Sequence, residues 1–248
     1  MTVSGNNYGL DFLRSNNNTI ISNMCESNWV GIRLEGSVNN TLKYNVLINC
    51  EGVSLYTTSM NYLEGNTVKG NILGIGFSTL HSNYIYRNNF IQNYAQVGPI
   101  SLYQNIWDNG FEGNFWGNYE SSDLDKNGIV DVEYAIDAND KDHCPLSGPY
   151  QSFEISDEAN LQEVSVVSNS TVYDLIFENS NRTLMLTVEG ANGTIGFCRI
   201  CILHTLIKPE LTVIIDGGLV DVLYANYNVL DNGLHRWIYF EYVTQYIK

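Results

Sequence analysis

The sequence predicts an all-β protein: a short right-handed parallel β-helix of about 22 residues per coil, followed by a C-terminal β-sandwich. Three observations carry this. Glycines recur at Gly9, Gly31, Gly52 and Gly74, at intervals of 22, 21 and 22 residues. Each is followed by an asparagine, one residue, an aliphatic, two residues and a second asparagine, at 18–23, 40–45, 61–66 and 83–88. Composition agrees: only 16 % of residues are charged, and polarity comes from Asn, Ser, Thr and 17 Tyr, a vocabulary of strands and turns. The third observation is a run of short alternating segments between turn signals from residue 163 onward.

The coils occupy residues 1–105. Each opens with a strand of period two, so one face is apolar. Leu10, Ile32, Val53 and Ile75 are expected to stack inward, as are Phe12, Leu34, Leu55 and Phe77. Ile20, Leu42, Leu63 and Ile85 form a second column, and Cys25, Leu47, Val68 and Phe90 a third. Three inward columns per repeat fit three short strands and three corners. Asparagine suits corners because it tolerates left-handed backbone and its amide can bond the backbone or the equivalent Asn one coil away. At about 4.8 Å per coil, four coils make a rod of about 20 Å. A leucine-rich repeat would need a denser leucine consensus and a helix per unit, and neither occurs. The first repeat begins within nine residues of Met1 with no capping element before it. The expectation is a C-terminal part of a longer exported protein, or an incomplete gene product.

Residues 106–152 read as a cap crowded with aromatics and glycine, carrying an acidic loop. In that loop Asp123, Asp125 and Asn127 fall at positions 1, 3 and 5, Gly128 at 6, Ile129 at 7 and Asp131 at 9 of an EF-hand-like spacing. Side-chain oxygens of Asp123, Asp125, Asn127 and Asp131, with the Ile129 carbonyl, are the candidate ligands of a structural calcium. Position 12 departs, with Tyr134 where a bidentate Glu is expected and Glu133 one residue early. The plain alternative is an Asp/Asn/Gly turn without an ion.

Residues 153–248 form the third segment, read as an immunoglobulin-like sandwich. Its strands are expected at 163–167, 172–177, 184–188, 195–202, 211–215, 219–224 and 237–242, between turns such as Asn192-Gly193 and Asp231-Asn232-Gly233.

The Asn/Gly coils resemble the right-handed β-helix repeats of the NosD-like group and of carbohydrate-active β-helix proteins. The cap sharpens this with N-x-W-D-N-G, G-N-x-W-x-x-Y, D-x-D-x-N-G-x-x-D, Y-x-I-D and D-x-x-P-L. Trp107, Asp108, Trp116, Tyr119, Tyr134, Asp137, Asp142 and Pro145 are among the matching residues. This pattern is similar to the terminal segment of archaeal NosD-like surface and exported proteins, over residues 9–147. The C-terminal part resembles β-sandwich modules that follow such helices. The resemblance implies an extracellular or cell-surface setting. NosD itself is associated with maturation of a copper site, but this chain has scattered histidines (His81, His143, His204, His235) and four methionines, so copper-site maturation follows from the family name alone.

Other classes are narrowed by charge and cysteines. A net charge of −15 disfavours phosphate-backbone binding, so no nucleic-acid partner is expected. No 18-residue apolar run exists to span a membrane, and no signal peptide is visible. Five scattered cysteines make no disulfide framework. Cys198 and Cys201 form a CxxC on a strand pattern, where positions three apart face opposite sides, which argues against zinc. Five Asn-X-Ser/Thr acceptors, at Asn17, Asn39, Asn169, Asn181 and Asn192, are compatible with export. On the outward face, Asp11 and Arg33 read as an ion pair, and Glu35 lacks a carboxylate partner for glycosidase chemistry. Tyr44, Tyr56, Tyr62, Tyr84, Tyr86 and Tyr103 either stack on sugar rings or simply brace bare sheets. The expected function is a non-catalytic surface or secreted module for glycan adhesion or envelope structure, with polysaccharide or cell-envelope glycan as partner. A carbohydrate-active enzyme with catalytic coils upstream is the alternative, and no catalytic or cofactor-binding residue is assigned.

Overall fold

The computed structural model describes residues 1–78, 82–98, 104–158, 160–207, 213–215, 218–219 and 227–244. Among them there is no helix. The chain divides into two units, residues 1–122 with 130–146, and residues 123–129 with 147–248.

The first unit is a β-solenoid of three parallel sheets. A long-strand sheet holds Tyr8–Leu13, Val30–Glu35, Glu51–Tyr56, Leu73–Ser78 and Ala95–Val97. A second sheet holds Thr19–Ile21, Thr41–Lys43, Tyr62–Glu64 and Tyr84–Tyr86. The third holds Thr2–Ser4, Met24–Glu26, Val46–Ile48, Thr67–Lys69, Asn89–Ile91 and Phe115–Trp116. Ile20, Leu42, Leu63 and Ile85 pair in register and are buried, so like side chains do stand in columns. The other inward columns hold as well, with Leu10 and Phe12 of the first coil and Phe77 of the fourth only partly buried.

The repeated glycines mark where coils touch. A Cβ on Gly9 would lie 2.5 Å from the Gly31 carbonyl oxygen, and one on Gly31 would lie 2.7 Å from that of Gly52. Gly52 meets the carbonyl of Gly74, and Gly74 that of Gln96, more closely still. No side chain fits there.

The asparagines do something different from what corner propensity alone predicts. The left-handed residue of each corner is the one before the repeated Asn: Asn17, Asn39, Met60 and Ser82 at one corner, Ser22, Tyr44, Gly65 and Arg87 at the next. The repeated Asn itself turns inward and is buried from the second coil onward. Its Oδ1 accepts the backbone N–H and the Nδ2–H of the equivalent Asn one coil earlier. The bonds Asn45 to Asn66 measure 2.9 and 3.0 Å, and those from Asn66 to Asn88 3.0 and 2.9 Å. The same Nδ2 also donates backward to a strand carbonyl, as Asn66 does to Leu42 at 2.8 Å. One ladder runs Asn18, Asn40, Asn61, Asn83, Asn105; another runs Asn23, Asn45, Asn66, Asn88, Asn114. At the third corner Cys50 takes the ladder position between Asn28 and Asn71 and brings no amide, although its N–H still reaches Asn71 Oδ1 at 2.9 Å.

Residues 105–122 and 130–146 close this unit. Trp116 stacks on Phe90 at 4.7 Å and Tyr134 stacks on Trp116 at 4.3 Å, extending one inward column with aromatic rings. Trp107 meets Phe77 edge-on at 5.9 Å.

The second unit is antiparallel. A five-stranded sheet runs Tyr150–Asp157, Asn160–Ser168, Ile195–Leu203, His235–Val243 and Tyr227–Asp231. A separate hairpin, Thr171–Glu178 with Thr183–Glu189, shares its core: Val172 and Phe177 are buried with Val164, Val166, Ile200 and Ile238. Of the strands expected at 211–215 and 219–224, the described residues are 213–215 and 219, where Ile214–Ile215 pairs with Gly218–Leu219 as a short hairpin.

Candidate functional site

Four places carry chemistry-bearing side chains, and their geometry separates them. The first is the outward face of the long-strand sheet. Register puts Arg33 beside Asp11. Its Nε lies 3.1 Å from Asp11 Oδ1, its Nη2 lies 2.5 Å from Glu35 Oε2, and its Nη1 donates to the Tyr8 hydroxyl at 2.8 Å. The guanidinium also covers the Tyr8 ring at 4.5 Å. Burial pulls the Arg33 pKa down, but Asp11, Glu35 and Tyr8 outweigh it and leave it raised. The two carboxylates are bridged by one cation. Glycoside hydrolysis instead needs a pair flanking an open gap.

The second is the outer face of the second sheet. Tyr62 and Tyr84 stack at 4.5 Å with their planes 3° apart. They cover each other's faces, so this pair is a column bracing neighbouring coils rather than an open platform. Beside it Glu64 joins Lys43 at 3.4 Å and Arg87 at 3.0 Å, and Arg87 reaches the buried Glu112 at 2.6 Å. Lys43 lies over the Tyr44 ring, and burial raises the Tyr86 pKa. Tyr56 is exposed on the long-strand sheet, and Tyr103 lies outside the described residues.

The third is the acidic loop. Asp123 accepts N–H bonds from Asn127 at 3.0 Å and Gly128 at 2.8 Å. Asn127 Nδ2 donates to Asp125 at 2.7 Å, and Asn127 Oδ1 accepts the Ile129 N–H at 2.7 Å. Asp123, Asp125, Asn127 and Ile129 therefore share one turn of the second unit. Lys126 ties that turn to Glu241 at 2.7 Å, and Gly128, at φ 83°, lies against Arg199. Asp131 is counted with the first unit, where its N–H donates to the Ser122 carbonyl at 3.0 Å. Burial pushes the Asp123 carboxyl up, and its neighbour Asp125 adds to this against the two backbone bonds.

The fourth was not found from sequence reasoning. Both complete Asn ladders end on a buried aspartate. Asp140 Oδ1 accepts the Asn105 N–H and the Trp107 indole N–H, each at 2.9 Å. Asp142 Oδ2 accepts the Asn114 N–H at 2.7 Å and the Trp116 indole N–H at 2.8 Å, while its Oδ1 takes the Cys144 N–H at 3.1 Å. The last coil of each ladder offers donors with no further Asn to receive them, and a carboxylate supplies the acceptor. The signal in the sequence was the Asp-x-Asp spacing of 140 and 142, with Asp140 directly before the short strand Lys141–Asp142.

Residues 1–121 match the family model described as periplasmic copper-binding protein (NosD). A curated relative from Pseudomonas aeruginosa, named probable ABC transporter binding protein NosD, is 30 % identical over 148 residues, covering 56 % of this chain. The chain spans about a third of that relative's length, 32 %.

The residues do not fit copper. Among the described residues no group of three or more His, Cys, Asp or Glu stands close enough to hold a metal ion. His143 pairs with Asp108 at 3.1 Å and His204 with Asp231 at 2.7 Å, in different units. Cys25 and Cys50 are buried inside the coils, where burial raises both thiol pKa values, that of Cys50 to about 12. The CxxC cysteines are buried in strand Ile195–Leu203, with Cys198 in the unit's core. His81 lies outside the described residues. Architecture and similarity thus agree on one statement: the N-terminal half of this chain is a parallel β-helix that resembles the NosD family.

Proposed function

We propose that the chain is a non-catalytic, exported β-helix module whose rigid outer surface adheres to glycan or serves as envelope structure. The observation that carries this is the way the ladders hold successive coils in register while the outward carboxylates Asp11 and Glu35 are both engaged by Arg33. Such a surface presents groups in fixed register without an acid–base pair. The relative's name describes a binding protein and the family description a periplasmic one, which supports export and a binding role. A glycan array run beside a reducing-sugar assay tests the reading. Retention without new reducing ends is expected. Release of reducing ends would replace it with a carbohydrate-active enzyme, and neither retention nor release would refute glycan adhesion.

We also propose a structural calcium on the loop of Asp123, Asp125, Asn127 and the Ile129 carbonyl. The neighbouring Asp123 and Asp125 carboxylates support it, because a cation relieves their mutual repulsion and each oxygen keeps a lone pair beyond its hydrogen bond. Thermal melts with millimolar calcium and with chelator check this; superimposable curves remove the ion.

A further inference from the structure

The corner between the third sheet and the long-strand sheet carries a pattern that packing does not require. After each ladder position one residue precedes the long strand: Asn7, Trp29, Ile72 and Tyr94. The coil of Cys50 lacks this residue, since Glu51 follows directly and pairs with both Val30 and Leu73. The backbone at this position is pinned. Trp29 N–H donates to the Asn6 carbonyl at 2.9 Å, Ile72 N–H to that of Cys50 at 3.1 Å, and Tyr94 N–H to that of Asn71 at 2.9 Å. The side chain is left outside, so any polar residue would serve. Three of the four are nonetheless large and apolar, and they are nearly bare: Trp29 is 76 % exposed, Ile72 77 % and Tyr94 93 %. They stand on one line parallel to the solenoid axis, Ile72 and Tyr94 about 4.8 Å apart and Trp29 about two coil spacings further along.

A second row runs beside the first. The left-handed corner residues Ser27, Asn49, Gly70 and Gln92 are exposed and carry a hydroxyl, two amides and no side chain at all. Neither row contains a charge. The exposed Glu26 and Lys69, each directly before a member of the second row, carry opposite charges that cancel, so an anionic partner finds no net positive charge here, and the chain's net charge of −15 repels it. Flat aromatic and aliphatic surface beside a line of neutral donors and acceptors matches the two aspects of a pyranose chain, its C–H faces and its hydroxyl edges.

We propose that the ridge of Trp29, Ile72 and Tyr94, with Ser27, Asn49 and Gln92 alongside, binds a linear, uncharged polysaccharide lying along the solenoid. This rests on the glycan-adhesion reading and gives it a place and a ligand class. Trp29 and Tyr94, about three coil spacings apart, stack on separate sugar faces with Ile72 against the chain between them, the amides bond the hydroxyls, and fixed coil spacing supplies register without any ordering of the backbone.

The test uses the full chain on an array of neutral hexose, N-acetylhexosamine and uronate oligosaccharides, with phosphatidylcholine vesicles as a second surface. Variants are Trp29→Ala, Tyr94→Ala, their combination, and Tyr62→Ala as a control on the other sheet. Both ridge side chains are solvent-exposed, so melting temperatures should match wild type. The expected result is retention on neutral oligosaccharides, weakened about tenfold by each ridge substitution and unchanged by Tyr62→Ala. Trp29→Phe should recover part of the loss. Full retention by the double variant overturns the ridge and leaves glycan adhesion standing. Retention confined to uronates, or Trp29-dependent binding to vesicles, overturns the ligand class. No retention of any glycan by wild type refutes the adhesion reading itself.

Discussion

Replacing Asp142 by asparagine isolates the energetics of ladder termination. The carboxyl is fully buried and accepts only N–H donors, from Asn114, Trp116 and Cys144. Burial pushes its pKa from 3.8 up to about 7, against those bonds and with a small further push from Asp108. A raised carboxyl pKa means that the folded protein holds a proton the unfolded chain has lost. This contribution is fully present below about pH 4 and is lost as pH rises to about 7. The shift is 7 − 3.8 = 3.2, or about 4 kcal/mol at about 1.4 kcal/mol per unit. The replacement amide cannot ionise. It keeps an oxygen for Asn114 and Trp116 but turns its NH2 toward the Cys144 N–H, at a cost of about 1–3 kcal/mol independent of pH. Urea unfolding followed by tryptophan fluorescence, at steps from pH 4 to 8, measures both proteins. The stability of wild type minus that of Asp142→Asn should fall by about 4 kcal/mol across that window and then level. A difference that stays flat would show that the N–H contacts outweigh burial, and the reasoning would be wrong.

Three further outcomes follow from the coils. Asn66→Ala removes an Oδ1 that accepts two bonds from Asn45 and an Nδ2 that serves Leu42 and Asn88, so a loss of about 3 kcal/mol or more is expected in chemical denaturation. Gly52→Ala drives a Cβ into the Gly74 carbonyl and the Val68 side chain, and should destabilise by about 1–3 kcal/mol, with a lowered melting temperature. Cys50→Asn restores the missing amide between Asn28 and Asn71, and a gain of about 1 kcal/mol is expected in the same melts; a loss would mean that this shorter coil has no room for it.

The solenoid was legible because its determinants are periodic. Ile20, Leu42, Leu63 and Ile85 repeat with the coil, and so do the glycines whose Cβ has no space. Asn88 and Asn66 were legible as recurring polar positions, but their role was half hidden. Propensity assigns asparagine to left-handed corners, whereas burial and the neighbour one coil away decide where its amide points. Asp140 and Asp142 were hidden for another reason. Their partners, Asn105 and Asn114, lie about 30 residues earlier, and only the end of a ladder creates the unmet donors that a carboxylate answers. The row of Trp29, Ile72 and Tyr94 escaped notice because a one-residue difference between coils shifts it out of a strict 22-residue comparison. In the acidic loop the spacing was plain in the sequence, and Asp123, Asp125, Asn127 and Ile129 share one turn through short-range bonds.

The missing amide at Cys50 has a mechanical consequence. Elsewhere each corner of the stack is threaded by side-chain bonds that must all stretch before two turns of the spiral separate. Between Asn28 and Cys50 the thread is cut, Cys50 keeping its N–H and thiol bonds to Asn71, and the turn is shorter by a residue. Drawn lengthwise in an optical trap, the rod should yield first at this joint, in a single early step that Cys50→Asn would shift to higher force. If that early step were unchanged in the substituted chain, the joint would not be the weak link.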